Sequence, residues 1–194
     1  MTSASNIFSG GREERVPETE AFDTTRAPNY SVRARALVDE HYAFVWRSLR
    51  RLGVPVADVD DGVQRVFWVA TRKLESIRPG AERSYLYQTA LRVASAVRRG
   101  AQRRREVLTA DPEDRTDPSL SAEEIVDLKR ARARLDAILD QMELDVRAVF
   151  TLFELDRLSL SEIAELLDIP RGTAASRLRR ARERFLSLSR HFEP

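Results

Sequence analysis

The stretch 158–185, LSLSEIAELLDIPRGTAASRLRRARERF, constrains the chain more than any other. Ser159 followed three residues later by Glu162 is the spacing of a capping box, in which each side chain satisfies an amide that a helix start leaves unpaired. Ile163, Leu166 and Leu167 then share one side of a short helix. Asp168-Ile169-Pro170 makes a turn, and a proline suits the first turn of a following helix because its missing N–H is not needed there. Ala174, Leu178, Ala181 and Phe185 repeat along the next helix as its inward face. The remaining faces carry Arg171, Arg177, Arg179, Arg180, Arg182 and Arg184 against one acid, Glu183. A capped short helix, a tight turn and a longer cationic helix predict a helix-turn-helix whose second helix enters a major groove. Arg171, Thr173, Ser176, Arg177, Arg180 and Arg184 are the candidate contacts. Arg grips a phosphate or a guanine edge with two parallel hydrogen bonds, and Ser and Thr meet base edges or backbone. The competing reading is a solvated basic helix, or one that docks on an acidic protein. The cap and the turn at their spacing favour DNA.

The rest of the chain has helical periodicity too. Leu37, His41, Phe44, Val45, Leu49 and Leu52 form a stripe from Ser31 to Leu52, which Gly53 ends. Asp58 is placed to cap a second helix with Val59, Val63, Val66, Phe67, Ala70, Leu74 and Ile77 inward. Gly62 lies inside that helix at a local cost of roughly 1 kcal/mol relative to Ala. The segment ESIRPGAE breaks the pattern, and a third helix follows from Glu82 to Arg104 with Leu86, Ala90, Val93 and Val97 inward. Residues 106–124, with two prolines, many carboxylates and Arg115 as the only base, predict an extended linker. Beyond it Leu128, Ala131, Leu135 and Ile138 make one stripe, and Val146, Val149, Phe150 and Phe153 another. The expected fold is all-α: two small helical domains, 31–105 and 125–190, joined by an acidic flexible linker. Residues 1–30 mix Ser, Gly, Thr, Glu and Pro without a period and predict a disordered leader.

Two further features carry chemistry. The end of the third helix, LRVASAVRRGAQRRR, holds six arginines and no acid. Tyr85 and Tyr87 stand just upstream, after a loop containing Arg78. Aromatic rings can stack on unpaired bases while arginines such as Arg92, Arg98 and Arg99 hold the strand, so the constellation suits single-stranded or melting DNA. Burial of one or both tyrosines as ordinary core stands beside that reading. In the second helix Asp61, Gln64, Arg65 and Trp68 form a stripe of their own. Trp and Arg anchor protein interfaces, so the stripe suits a protein partner; a solvated face with Trp68 half-buried is the plainer alternative.

Composition removes other classes. There is no Cys, and His41 and His191 stand far apart, so no metal or other cofactor is expected. No nucleophile–base pair or Gly-rich phosphate loop occurs, which argues against an enzyme. The first twenty residues lack the basic patch and apolar run of a secretory signal, and no stretch approaches the ~18 uninterrupted apolar residues of a membrane span. The cytoplasm is the expected compartment.

The segment EIAELLDIPRGTAASRLRRARERF resembles the promoter-reading C-terminal domain of the extracytoplasmic-function (ECF) subfamily of sigma-70 RNA polymerase sigma factors. DDGVQRVFWV and RSYLYQTALRVASAVRR are similar, in order and spacing, to the family's N-terminal domain. Together these span roughly residues 31–188. Tyr85 stands where the family commonly has Trp, Arg65 where an acid often follows the Gln, Ala96 where Asp is frequent, and Ala174 where Val is usual. The resemblance implies that Asp61, Gln64, Arg65 and Trp68 bind the polymerase clamp. It implies that residues 76–82, with Arg78, Tyr85, Tyr87, Arg92, Arg98 and Arg99, capture the melted minus-ten element. It assigns the minus-thirty-five element to Arg171, Thr173, Ser176, Arg177, Arg180 and Arg184. Core RNA polymerase, promoter DNA and an anti-sigma factor are the implied partners. A conventional helix-turn-helix regulator that binds duplex DNA unaided, and a helical adaptor without DNA, are the rival classes.

Overall fold

The computed structural model describes residues 28–105 and 122–190. Seven α-helices and no strand occur among them. They are α1 (Pro28–Arg51), α2 (Val56–Arg72), α3 (Glu82–Arg105), α4 (Ala122–Asp140), α5 (Leu144–Phe150), α6 (Leu160–Leu167) and α7 (Arg171–Ser189). Most of the expected leader and residues 106–121 of the expected linker lie outside the described residues. Pro28 to Tyr30 belong to α1, and α4 begins at Ala122, inside the stretch expected to be linker.

The end of α1 shows how sequence sets geometry. Gly53 has φ +89°, a left-handed conformation that a Cβ disfavours. Its N–H donates to Arg50 O at 3.0 Å and that of Val54 to Leu49 O at 3.0 Å. This pair of bonds satisfies two of the carbonyls left over at the helix end, and buried Val54 and Leu49 close the turn. Pro55, not Asp58, occupies the cap of α2; Asp58 lies in the first turn, where its charge favours the positive end of the helix dipole. Gly62 has a packing reason: a Cβ there would come 3.0 Å from Leu49 Cδ1, so its absence lets α1 and α2 approach closely. Val59, Val63, Val66, Phe67, Ala70, Leu74 and Ile77 are all buried as the periodicity requires, with Leu74 in a short 3-10 turn after α2.

In the C-terminal half the capping box is present. Glu162 N–H donates to Ser159 Oγ at 3.3 Å, and Ser159 N–H donates to Glu162 Oε2 at 2.8 Å. After α5 one wide turn, Thr151–Leu155, carries the chain toward α6. Asp168, at φ 53°, ends α6 in the left-handed region. Pro170 stands immediately before α7 rather than inside it.

Two differences from the sequence reading follow. Leu128 and Ala131, periodic in sequence, are exposed, because no described element lies beside them; of the described side chains of α4 only Ile138 and Leu139, at its end, are buried. The larger core also does not stop at either half. It runs from Leu49, Val59 and Tyr87 to Ala148, Leu152, Ile163 and Leu178. A smaller core joins Ile138, Met142, Phe150, Ala181 and Leu188, with the Phe150 and Phe185 rings stacked at 5.2 Å.

Candidate nucleic-acid interface

Helix α7 buries Ala174, Leu178, Ala181 and Leu188, with Phe185 half-buried against the smaller core, and exposes most of its arginines. Arg171, Ser176, Arg180 and Arg184 are exposed, and Thr173 is half-buried. Among the described residues, Arg171, Arg180 and Arg184 have no carboxylate partner. Arg179 pairs with Glu183 at 2.8 Å, and Arg182 with Glu154 at 2.8 Å, lying over the Phe153 ring. The Ser176 hydroxyl donates to Thr173 O at 2.9 Å, which leaves its lone pairs outward as acceptors. Arg177 is turned aside: it is half-buried and forms an ion pair with Asp145, Nε to Oδ2 at 3.0 Å.

The residues expected at melting DNA are divided. Arg78, Arg92 and Arg99 are exposed, and Tyr85 is half-buried. Tyr87 is 1% exposed, its ring 6.0 Å from that of Phe44 and its hydroxyl beside Thr151 from the C-terminal half. Burial pushes its phenol well above the ordinary value. Arg98 donates to Asp140 O at 3.0 Å and Met142 O at 3.3 Å. In this arrangement Tyr87 is core, and Arg98 is half-buried with its guanidinium engaged at the end of α4.

Asp61, Gln64, Arg65 and Trp68 are brought together on the exposed face of α2, opposite its buried Val59, Val63, Val66 and Phe67. Trp68 is 56% exposed, and the Arg72 guanidinium lies 4.7 Å from its ring centroid. Sequence reading missed Arg72, although its i+4 spacing from Trp68 was the available signal. It also missed Trp46 and Tyr42, one turn apart on α1, which donate to Asp60 Oδ1 at 3.2 and 3.5 Å.

The residue missed most completely is Arg147, on α5. Its side chain is 1% exposed. Nε donates to Arg51 O at 2.6 Å, and Nη1 to Asp140 Oδ1 at 2.7 Å. Burial lowers its pKa, and the Asp140 hydrogen bond opposes that. The guanidinium packs directly on Gly53, where a Cβ would stand 2.8 Å from Nη1. Arg51 pairs with Asp156, and Ser84 Oγ donates to Leu166 O at 2.8 Å, so further contacts join the halves. A cleft of about 430 Å³ remains between them, lined by Leu91, Arg92, Arg99, Leu144, Asp145 and Arg177 among others. Among the described residues no cluster of His, Asp and Glu is placed to hold a metal ion, and no helix is long and apolar enough to cross a membrane.

Residues 128–185 match the family model described as sigma-70, region 4. The chain is 30% identical over 148 residues to the ECF RNA polymerase sigma factor SigE of Mycolicibacterium smegmatis, covering 76% of this chain and 58% of that protein, so it spans a little over half of that relative's length. It is 34% identical over 136 residues to the ECF RNA polymerase sigma-E factor of Haemophilus influenzae, covering 65% of this chain and 71% of that one. The sigma factor RpoE of Bartonella quintana, solved with the anti-sigma factor NepR, is similar in fold, with a TM-score of 0.55, 17% identity and coverage of 84% of this chain and 98% of that one. On the Haemophilus influenzae relative, of which it covers more than two thirds, the chain belongs to the ECF RNA polymerase sigma factors.

Proposed function

We propose that the chain carries core RNA polymerase to promoter DNA and helps open the duplex, without chemistry of its own. The observation that carries this is the sorting of exposed residues by helix. Asp61, Gln64, Arg65 and Trp68 face outward from α2, while unpartnered cations Arg171, Arg180 and Arg184 face outward from α7. The first set suits a protein surface and the second suits phosphate and guanine edges. Residues 31–105 act as the polymerase-binding and minus-ten module, and 125–190 as the minus-thirty-five module. Extruding and holding a base offsets an unstacking cost of a few kcal/mol with binding energy alone, so no cofactor is needed. The protein works in the cytoplasm, where polymerase and promoter are, and an anti-sigma factor is its expected negative partner. Membership of the sigma family sets aside the conventional regulator that binds a palindrome unaided.

In-vitro transcription with purified core polymerase, followed by sequencing of the enriched start sites, tests the reading. The expected result is a set of starts that share an upstream sequence and that depend on added protein. Trp68→Ala should lower affinity for core enzyme by about thirtyfold, the loss of a roughly 2 kcal/mol interface anchor. Start sites unchanged by the protein would refute the proposal, as would tight, sequence-specific duplex binding by the free chain.

A further inference from the structure

Among the described residues four take a positive φ: Gly53, Gly80, Asp168 and Arg157. Glycine has no Cβ to clash there, and a short Asp side chain visits the left-handed region more readily than most. Arg157, at φ 59°, has neither advantage. The turn itself demands the conformation. After the wide turn Thr151–Leu155, Asp156 N–H still donates to Thr151 O at 3.1 Å, and Leu158 N–H reaches back to Leu152 O at 3.0 Å, so the residue between them must reverse the chain. Glycine is the ordinary occupant of such a reversal, and a residue with a Cβ there costs stability. The fold explains the backbone at 157 and does not explain the arginine. Strain kept where glycine would relieve it points to a use for the side chain.

The charges around it indicate what that use is. Arg157 is exposed and, among the described residues, has no carboxylate partner. Its acidic neighbours are engaged elsewhere: Glu154 with Arg182, Asp156 with Arg51, and Glu162 with the Ser159 backbone. A lone cation therefore stands two residues before Ser159, the cap of α6. In a helix-turn-helix the second helix lies in the major groove and the first crosses the DNA backbone. The 8 residues of α6 make it about 12 Å long, about the width of that groove, so its start overhangs the phosphates at the rim while α7 lies inside. We propose that Arg157 grips a phosphate at the rim of the groove that α7 enters, adding affinity without reading sequence. The inference rests on the DNA-reading role proposed above for α7.

A phosphate contact needs no promoter, so the probe is a fluorescein-labelled duplex of arbitrary sequence, about 30 base pairs long, titrated with the full free chain in fluorescence anisotropy at salt from about 50 to about 200 mM. Each phosphate neutralised contributes about 0.9 to the slope of log affinity against log salt. Referred to about 1 M salt, one contact is then worth about fifteenfold in affinity at about 50 mM and about fivefold at about 150 mM. Arg157→Ala should lose that slope and that affinity, and Arg157→Lys, which keeps the charge, should retain most of both. Arg157→Gly should bind as weakly as Arg157→Ala yet melt about 2–4 °C higher than the parent chain, because it relieves the backbone. Arg35→Ala removes an exposed cation from α1 and should change neither reading. Circular dichroism supplies the melting curves and checks folding. An Arg157→Gly chain that gains stability and keeps the parent's affinity and salt slope would overturn the contact, as would an Arg157→Ala chain no weaker than Arg35→Ala. A parent chain that ignores duplex DNA at low salt would overturn it too, since an exposed cation acts without polymerase. Loss of duplex affinity with Arg157→Ala in a chain that directs no transcription starts would instead refute the promoter-opening role and leave the phosphate contact standing.

Discussion

Replacing Gly53 by Ala probes the contact of Arg147 with the end of α1 by a single methyl group. The substitution has two separable costs. A left-handed backbone at φ +89° penalises any Cβ by about 1–2 kcal/mol. The new methyl would also stand 2.8 Å from Arg147 Nη1 and 3.0 Å from its Cζ. Arg147 is buried and held by bonds of 2.6 and 2.7 Å, so retreat costs one hydrogen bond to a charged group, about 1.5–3 kcal/mol. The expected loss is about 2.5–5 kcal/mol. Gly80 supplies the control: its φ is +86°, nearly the same, and nothing lies within 4 Å of a Cβ there. Gly80→Ala should therefore cost only the backbone share, about 1–2 kcal/mol. Gly172→Ala, helical and in open space, should stabilise by about 0.5–1 kcal/mol. Urea unfolding followed by far-UV circular dichroism, at constant denaturant slope, measures all three. In an Arg147→Met background the excess at Gly53 should shrink toward the Gly80 value, since the collision partner is gone. Equal losses at Gly53 and Gly80 would refute the close packing of Arg147 on the end of α1.

Asp140→Ala should destabilise the chain by about 3 kcal/mol, read from the same unfolding curves, because it strips the carboxylate from a buried guanidinium. Ser159→Ala should cost about 1 kcal/mol and lower the melting temperature by a few degrees, the loss of one helix cap. Glu162 sits below its ordinary pKa of 4.5 because Ser159 hydrogen-bonds its carboxylate, through the side chain first and the backbone second. A depressed folded value means the stabilisation is present above the unfolded pKa and is lost as pH falls through the folded one. The gap in melting temperature between the parent chain and Glu162→Gln should therefore close as pH drops below 4.5. Arg180→Ala should weaken promoter binding by polymerase carrying this chain by about 1–3 kcal/mol in filter-binding assays. Arg179→Ala, which only unpairs Glu183, should change it far less.

Local pattern made most helices legible. The α2 stripe from Val59 to Ile77 is buried residue for residue, and the Asp61–Trp68 face is exposed, because one helix period decides both. The Ser159–Glu162 box was readable because capping is chemistry between near neighbours. Tyr87, Arg98 and Arg147 were not readable in the same way. Each owes its place to a partner far along the chain — Thr151, Asp140 and Arg51 respectively — and no short-range spacing encodes that. Leu128 and Ala131 failed for the opposite reason: their spacing is helical, but a stripe is buried only where another element lies against it. Gly62 looked like a cost and serves as a contact, a distinction visible only once Leu49 is placed beside it.

The partnering of arginines along α7 gives that helix a handedness of charge about its own axis. At 3.6 residues per turn, Arg180 and Arg184 point within about 40° of each other, and Arg182 points about 160° from either. Arg182 is tied to Glu154 and Arg179 to Glu183, so beyond the first turn, where Arg171 stands on the opposite side, the unpaired charge of the helix lies on the Arg180–Arg184 flank. A rod charged evenly all round could roll freely against a polyanion; the body of this one favours a single rolling angle, fixed before any base is touched.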